Sequence, residues 1–416
     1  MRHAITLKIT ILLGLLLVLL LPIACDRGTS DTPLTQPTNS PSGNIVDPVK
    51  DVVITIGNLS DLTGPSAGAQ ELINMALDDM ISYYNDENLI PGIELKTITY
   101  DGQFDPSNDI PGYEWLIERG ADLIWTAVPG TPVVLKPRAD KDQVVVFCAT
   151  IDMDELTPPG YVFSMGNIPQ YDAYTLLKWI ADNDWDYRTN GPAKIGGASW
   201  SETYSEAFFD AMKAYANSHP EQFEFVGGYL TNFTFTWGPE VDALKDCDYV
   251  FPCLVMPSFV QEYRNAGYTG KFIGSDPHLA ILGMIDKGDL WDEIDGMLFI
   301  RATRWWNEDG SIINLAKKLL QENRPDEAED IIRSGCGYLA AYQAYQIVSI
   351  IEKAVEAVGP ENVDSTALYE AAQSYTEIVD GLELYSFDDT KRCSTNYYEV
   401  CKADAAGKDL FRIDPD

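Results

Sequence analysis

From Asp51 onward, short strand-like runs alternate with helical stretches, and this alternation constrains the fold more than any other feature of the chain. Residues 52–56 have the composition of a strand, and residues 71–84 have helical periodicity after a Gly/Ser/Pro-rich loop. Residues 93–100 form the next predicted strand. A β-α-β-α-β order of this kind implies a parallel sheet covered by helices.

The same alternation starts again in the middle of the chain and predicts a second sheet. Residues 194–198, 223–229 and 271–274 are predicted strands, and helical stretches separate them. The residues after Asp51 also exceed the size at which a single hydrophobic core stops growing. We therefore predict an α/β protein with two doubly wound, parallel-sheet lobes.

The C-terminal part of the chain has a different pattern. Residues 296–302 are predicted to form a strand, and residues 338–358 a long helix whose apolar positions fit a 3.6-residue period. Residues 382–387 and 396–400 are predicted late strands. Such a tail could return to the first lobe and then cross back to the second.

The N-terminal segment places the rest of the chain outside the cytoplasm. Residues 1–25 begin with Arg2 and Lys8, continue as an apolar run and end at Cys25, as an export signal does. Cleavage before a cysteine resembles the bacterial lipoprotein signal, which implies that Cys25 is diacylated and anchors the protein to the cell membrane. An uncleaved signal anchor is the alternative. Residues 26–50 are rich in Thr, Pro, Ser and Asn, and they are predicted to form a disordered tether.

Charge and cysteine content narrow the functional classes. The formal net charge of −35 repels nucleic acid and anionic lipid headgroups, so nucleic-acid binding is not expected. No Cys-x-x-Cys pair is present, so zinc and thioredoxin-type sites have little support, and neither a metal nor a cofactor is predicted. An even number of cysteines after Cys25 permits disulfides in an exported chain. The candidates are Cys393 with Cys401 and Cys247 with Cys253.

Five motifs in the correct order resemble the type I periplasmic solute-binding proteins of ABC importers, specifically the leucine/isoleucine/valine-binding class. The resemblance extends from Asp51 to the C-terminus. The motifs are the opening strand and loop VITIGNLSDLTGP at 53–65, the helix at 71–85 with Asp78-Asp79, Tyr100-Asp101, Asp105-Pro106, and FIGSD at 272–276. The family's cysteine pair near Phe104 and Pro129 is missing.

The resemblance implies two lobes joined by three hinge crossings, with the ligand enclosed between them. The first lobe would comprise residues 51–168 and 300–388, and the second lobe residues 169–299 and 389–416. The implied function is capture of a branched-chain-type amino acid, or a related solute, for delivery to an ABC permease and its ATPase, without catalysis. Alternatives on the same fold are a ligand sensor or a protein that binds amides or aromatic acids.

The resemblance also implies a ligand site. Thr150, beside Ala149, would donate to the ligand carboxylate from the end of the strand at 146–150. Asp276 would accept from the ligand ammonium, and Tyr204 would close over the ligand. Taken singly, these three residues could equally be a helix N-cap, another helix cap and a core aromatic. The predicted ligand-binding residues are Leu62, Gly130, Thr131, Ala149, Thr150, Tyr204, Asp276 and Trp305.

A serine hydrolase is the remote alternative. Residues 64–68 satisfy G-x-S-x-G between a strand and a helix, with Ser66 as the candidate nucleophile. Such a serine needs a histidine base. His219 and His278 are the histidines that follow the signal, and neither has a triad-like sequence context.

Overall fold

The computed structural model describes residues 52–414. The signal segment, the tether and the predicted lipidation site Cys25 lie outside the described residues. Within the described range, no helix combines the length and the apolar character that crossing a membrane requires.

Fourteen strands and fourteen α-helices, counted within residues 52–414, alternate along most of the chain. The strands are β1 (Val52–Ser60), β2 (Ile93–Asp101), β3 (Leu123–Thr126), β4 (Val146–Thr150), β5 (Val162–Asn167), β6 (Ala193–Trp200), β7 (Phe223–Thr231), β8 (Tyr249–Phe251), β9 (Lys271–Ser275), β10 (Leu298–Arg301), β11 (Thr376–Val379), β12 (Leu382–Ser386), β13 (Glu399–Asp404) and β14 (Asp409–Arg412). The α-helices are α1 (Ala67–Asp86), α2 (Asp109–Glu118), α3 (Thr131–Asp142), α4 (Pro169–Asn183), α5 (Tyr187–Asn190), α6 (Thr203–Ser218), α7 (Gly238–Ala243), α8 (Met256–Asn265), α9 (Asp276–Leu279), α10 (Gly283–Lys287), α11 (Ser311–Asn323), α12 (Ala328–Ser334), α13 (Ala341–Val358) and α14 (Ser365–Gln373).

The first sheet is parallel and has the order β2-β1-β3-β4-β5. Every residue of β3 and of β5 is buried, as expected for strands that are covered on both faces. Helices of the C-terminal part return to this lobe. Tyr338 donates to Asp79 of α1 at 2.7 Å, and Gln346 of α13 donates to the main-chain oxygen of Met165 in β5 at 3.1 Å.

The second sheet has the order β14-β13-β10-β9-β8-β6-β7. The strands from β10 to β7 are parallel, whereas β13 runs antiparallel to β10 and β14 antiparallel to β13. The predicted α/β fold with two sheets of parallel strands is therefore confirmed, with the difference that an antiparallel pair extends the second sheet.

A late segment of the chain connects the two sheets directly. The backbone of Ser164 in β5 accepts from Ser394 at 2.9 Å and donates to Arg392 at 2.8 Å. Five residues after Ser394, the chain enters the second sheet as β13, at Glu399. The strand predicted at 396–400 is therefore wrong in its first half. Asn396 instead donates its side-chain amide to the main-chain oxygen of Glu383 at 2.9 Å.

The cysteine pairs proposed from the sequence are not joined. Cys247, Cys253, Cys393 and Cys401 all have free thiols in the structure. Cys393 bridges to Ser164 of the first sheet, whereas Cys401 pairs with Phe299 in the second. Cys247 and Cys253 lie before and after the strand β8, and an extended run of that length keeps them roughly 20 Å apart.

Candidate functional site

A cavity of about 220 Å³ lies where the carboxyl ends of strands from both sheets meet. Such an edge is the usual ligand position in open α/β sheets because the loops that follow the strands converge there. Most of the lining is apolar, and polar side chains are few. The lining residues are Pro65, Ser66, Ala69, Gln70, Ile73, Phe104, Trp125, Ala127, Pro129, Ala149, Thr150, Asn167, Trp200, Glu202, Phe233, Leu254, Val255, Asp276, Pro277, Ala280, Ile281, Thr303, Cys336, Gly337, Leu339, Ala340 and Gln343.

Thr150 lines the cavity at the last position of β4, beside Ala149. Thr150 is buried, and its hydroxyl oxygen has no hydrogen-bond partner among the described residues. Buried polar groups in folded proteins are nearly always hydrogen-bonded, so an unpartnered hydroxyl is an exception that requires a reason. A ligand acceptor in the cavity would satisfy it.

Asp276 lines the cavity from the other sheet, immediately after β9. One carboxylate oxygen accepts from the backbone N–H of Ala302 at 3.0 Å. The other, Oδ1, lies 3.1 Å from Nε of Arg301, an ion-pair contact whose angle falls short of a hydrogen bond. Oδ1 therefore keeps the capacity to accept a hydrogen bond from a ligand.

Arg301 lies behind Asp276 and is completely buried. Its Nη2 donates to the hydroxyl of Thr303 at 2.7 Å, and its guanidinium lies 4.6 Å from the ring centre of Trp305. Trp305 is also buried, with its indole N–H donated to Asp409 at 2.6 Å. Trp305 was predicted to contact the ligand, but it is not among the lining residues, because it packs against the cation that neutralises Asp276.

Glu202 supplies a second carboxylate to the lining. It is the N-cap of α6 and accepts from the backbone N–H groups of Tyr204 at 2.8 Å and Ser205 at 2.7 Å. Burial raises the pKa of Glu202, although these hydrogen bonds partly oppose that effect. The lining contains no Lys or Arg side chain within the described residues, so a ligand anion would meet two acids and no direct cation.

Tyr204 is buried below the cavity and is not among its lining residues. Its hydroxyl donates to Asp172 at 2.6 Å, and Asp172 also accepts from the side-chain amide of Asn167 at 3.0 Å. Burial raises the pKa of Asp172 well above its ordinary value. Tyr204 thus supports Asn167, which lines the cavity, from below the lining.

Three other predicted residues lie in the first lobe outside the lining. Leu62 is 46% exposed, because its backbone N–H is held by Asp101 at the end of β2. Thr131 is buried and donates its hydroxyl to Asp109 at 3.0 Å. Gly130 faces the second lobe, where an added Cβ would lie 3.6 Å from the hydroxyl of Thr203.

Several lining residues were not predicted, and some of the polar ones lie on helices. Gln70 lies near the start of α1, and Gln343 lies in the first turn of α13. Gln343 lies within the predicted helix at 338–358, and a glutamine among its apolar positions is a signal that sequence reasoning could have used. Cys336 also lines the cavity, and its thiol donates to the main-chain oxygen of Asp276 at 3.3 Å.

The geometry does not assemble a serine triad around Ser66. The Ser66 hydroxyl lines the cavity and donates to Asp61 at 2.7 Å. His278 is buried in the second lobe, with its ring nitrogens at the backbone of Ser275 and Pro252. His219 stacks on Tyr215. Neither histidine has a contact with Ser66 in the structure.

Among residues 52–414, one cluster of potential metal ligands is present, and it lies outside the cavity. Donor atoms of Glu308, Glu399 and Cys401 lie within 4.8 Å of one another. Arg412 already provides a cation there, at 3.9 Å from Glu308 and 3.4 Å from Glu399. Burial raises the pKa of Glu399 to about 7. The cluster is therefore accounted for as an ion-pair network.

The chain belongs to the periplasmic binding protein family, whose model matches residues 53–408. Members of this family bind solutes outside the cytoplasm, and the resemblance to the type I, leucine/isoleucine/valine-binding class is confirmed. No curated protein matches the sequence significantly.

Solved structures of the same fold support the assignment. A branched-chain amino acid ABC transporter protein from Thermus thermophilus with bound valine has a TM-score of 0.73 and 16% identity, covering 87% of this chain and 95% of that one. A possible leucine/isoleucine/valine-binding protein from Rhodopirellula baltica has a TM-score of 0.71 and 12% identity, covering 89% and 98%. A solute-binding protein from R. palustris in complex with benzoate has a TM-score of 0.71 and 13% identity, covering 87% and 95%.

Proposed function

We propose that this protein is the solute-binding component of an ABC importer and that its ligand is an amino acid with an apolar side chain. The observation on which this rests is a pair of unsatisfied groups in one cavity. Thr150 offers a hydroxyl donor from the first sheet, and Asp276 offers a carboxylate acceptor from the second. A zwitterion has the complementary acceptor and donor on a single carbon atom.

The charge of the lining favours an amino acid over a simple carboxylic acid. Glu202 and Asp276 both line the cavity, and Arg301 is buried behind Asp276 rather than exposed to a ligand. A benzoate-type or fatty-acid ligand would place its carboxylate near two acids without a direct cation. The ammonium group of an amino acid would instead be attracted to the two lining acids, since neither has a cation that is exposed to the cavity.

The proposed mechanism is capture in an open cleft followed by closure of the two lobes. The segments between the sheets, including the one after Ser394, would act as hinges of the kind that periplasmic binding proteins use. The closed form would then dock onto the permease and its ATPase. We further propose that Cys25 is the acylated membrane anchor, in which case Cys25→Ser should move the protein from the membrane fraction to the soluble fraction. Retention of the variant in the membrane would reject the anchor.

Binding to matched ligands tests the assignment without any substitution in the protein. A ligand that binds the folded state raises the melting temperature by mass action, so thermal shift gives the first screen and calorimetry the affinities. L-leucine should bind, whereas 4-methylpentanoate, which lacks the ammonium group, should bind at least about 30-fold more weakly, because a buried charge partner is lost. Isoamylamine, which lacks the carboxylate of L-leucine, tests whether the Thr150 hydroxyl contributes to affinity by binding that carboxylate. Binding of benzoate or 4-methylpentanoate as tight as that of any amino acid would contradict the proposal.

A further inference from the structure

An aromatic rim lies along the second-lobe side of the cavity. We define the rim as Trp200, Phe233 and Phe235. Trp200 and Phe233 line the cavity, although Phe233 is 58% exposed and Phe235 is 63% exposed. Large apolar rings exposed together beside a cavity are typical of binding surfaces rather than of ordinary surface.

The rim is held in place by its own contacts. The ring of Trp200 lies 4.6 Å from that of Phe233 and packs edge-on against Phe235 at 5.5 Å. The indole N–H of Trp200 donates to the main-chain oxygen of Thr234, between the two phenylalanines, at 2.8 Å. The loop after β7 is therefore braced by the strand end of β6, and the free face of Phe233 is available without prior ordering.

The first lobe directs another aromatic ring into the same cavity. Phe104 lines the cavity, and its backbone has a φ of 55° directly after Gln103, which has a φ of 57°. Two consecutive non-glycine residues in the left-handed region are uncommon and cost conformational energy, which is typical of functional sites. The backbone N–H of Gln103 donates to Asp101 at 3.1 Å and fixes this turn. Both lobes thus present aromatic rings to one ligand.

We propose that Trp200 and Phe233, together with Phe104, form the side-chain subsite and select amino acids with an aromatic side chain over aliphatic ones. This inference rests on the proposed function, in which Asp276 and Thr150 hold the head group. An aliphatic side chain gains only apolar burial against such walls. An aromatic side chain also gains ring-to-ring contacts, which stabilise a pair beyond its buried area.

Calorimetric titration of L-phenylalanine, L-tryptophan, L-leucine and L-alanine tests the subsite. The wild-type protein should bind both aromatic amino acids at least about fivefold more tightly than L-leucine. Phe233→Ala should weaken L-phenylalanine binding about tenfold and change L-alanine binding less than about twofold. Phe411→Ala is the matched control, because Phe411 is 47% exposed on the edge strand β14 and does not line the cavity.

A second variant separates ring contacts from apolar burial. Phe233→Leu keeps an apolar side chain without the ring, so it should reduce the preference for L-phenylalanine over L-leucine while both still bind. Tighter binding of L-leucine than of both aromatic amino acids by the wild type would overturn the inference and leave the proposed function standing. Equal weakening of L-alanine and L-phenylalanine in Phe233→Ala would also overturn it. Absence of binding by any amino acid would instead reject the proposed function and this inference with it.

Discussion

The two sheets present different chemistry to the same cavity. The edge of the first sheet contributes uncharged side chains, among them Trp125 of β3 and the polar Thr150 and Asn167 at the ends of β4 and β5. The edge of the second sheet contributes the carboxylates of Glu202 and Asp276, and it buries Arg301 behind one of them. The comparison indicates that each lobe would hold a different charged group of the ligand. The unpartnered hydroxyl donor lies on the first edge and the carboxylates lie on the second, so recognition of both charged groups of a zwitterion would require both edges.

The largest expected effect is a loss of stability when the ion pair between Arg301 and Asp276 of the second sheet is broken. Arg301→Leu leaves Asp276 without its cation, and removal of one partner of a buried ion pair lowers the free energy of unfolding by about 3 kcal/mol. Urea unfolding measures this loss. Adding Asp276→Asn to Arg301→Leu should recover part of it, because the uncompensated charge is then gone.

Arg333→Leu is the control for that experiment. Arg333 is 55% exposed and pairs with Glu329 one helical turn away, so its loss should change the free energy of unfolding by less than about 0.5 kcal/mol. If Arg301→Leu destabilised the protein no more than Arg333→Leu, the structural role of Arg301 would be refuted.

An intermediate effect on affinity or stability is expected for two threonines of the first lobe, Thr150 and Thr131. Thr150→Val removes a hydroxyl that has no protein partner, so stability should be unchanged or higher, while affinity for an amino acid should fall about tenfold. Thr131→Val should do the opposite. Its hydroxyl donates to Asp109, so stability should fall by about 1 kcal/mol while affinity stays the same. Calorimetry and urea unfolding on both variants check this, and a reversed pattern would exchange the roles of the two threonines.

The smallest expected effect is a change in the free energy of unfolding with pH, caused by Asp109 in the first lobe. Burial raises the pKa of Asp109 to about 6, although the hydrogen bond from Thr131 partly opposes this. The folded-state pKa exceeds the ordinary value of 3.8, so the contribution of Asp109 to stability is fully present below pH 3.8. It is lost as the pH rises through about 6. Relative to Asp109→Asn, the wild type should therefore lose about 1 kcal/mol between pH 4 and pH 7, since solvent screening limits the effect. Parallel unfolding curves across this range would show that Asp109 does not titrate as stated.

Two predicted residues that line the cavity, Thr150 and Asp276, were inferred from strand ends. Thr150 and Asp276 end or follow apolar strand-like runs, and the carboxyl ends of parallel strands must meet at one edge of a sheet. The alternation of strands and helices also predicted the fold, because each apolar run had to be buried in a sheet. Predictions of this kind depend on local pattern and on a general rule of topology, and both are present in one sequence.

The positions of the predicted residues that lie outside the cavity lining depend on the rotation of helices and loops. Glu202 caps α6 and thereby turns Tyr204 towards Asp172 rather than towards the cavity. Asp101 holds the backbone of Leu62 and leaves its side chain half exposed. Gln343 reaches the cavity only because a distant helix returns to the first lobe. Such contacts join residues far apart in the chain, and a periodic pattern does not contain them.

The reactivity of the Cys336 thiol would report how often the cleft opens. This thiol lines the cavity and is bonded to the main-chain oxygen of Asp276, and burial raises its pKa, so the reactive thiolate hardly forms while that contact persists. Separation of the two strand edges would break that contact and expose the thiol further, so an alkylating reagent should react faster with the open form. The alkylation rate at Cys336 would then report the fraction of protein in the open form. A bound solute that favours the closed form would lower this rate in proportion to its occupancy.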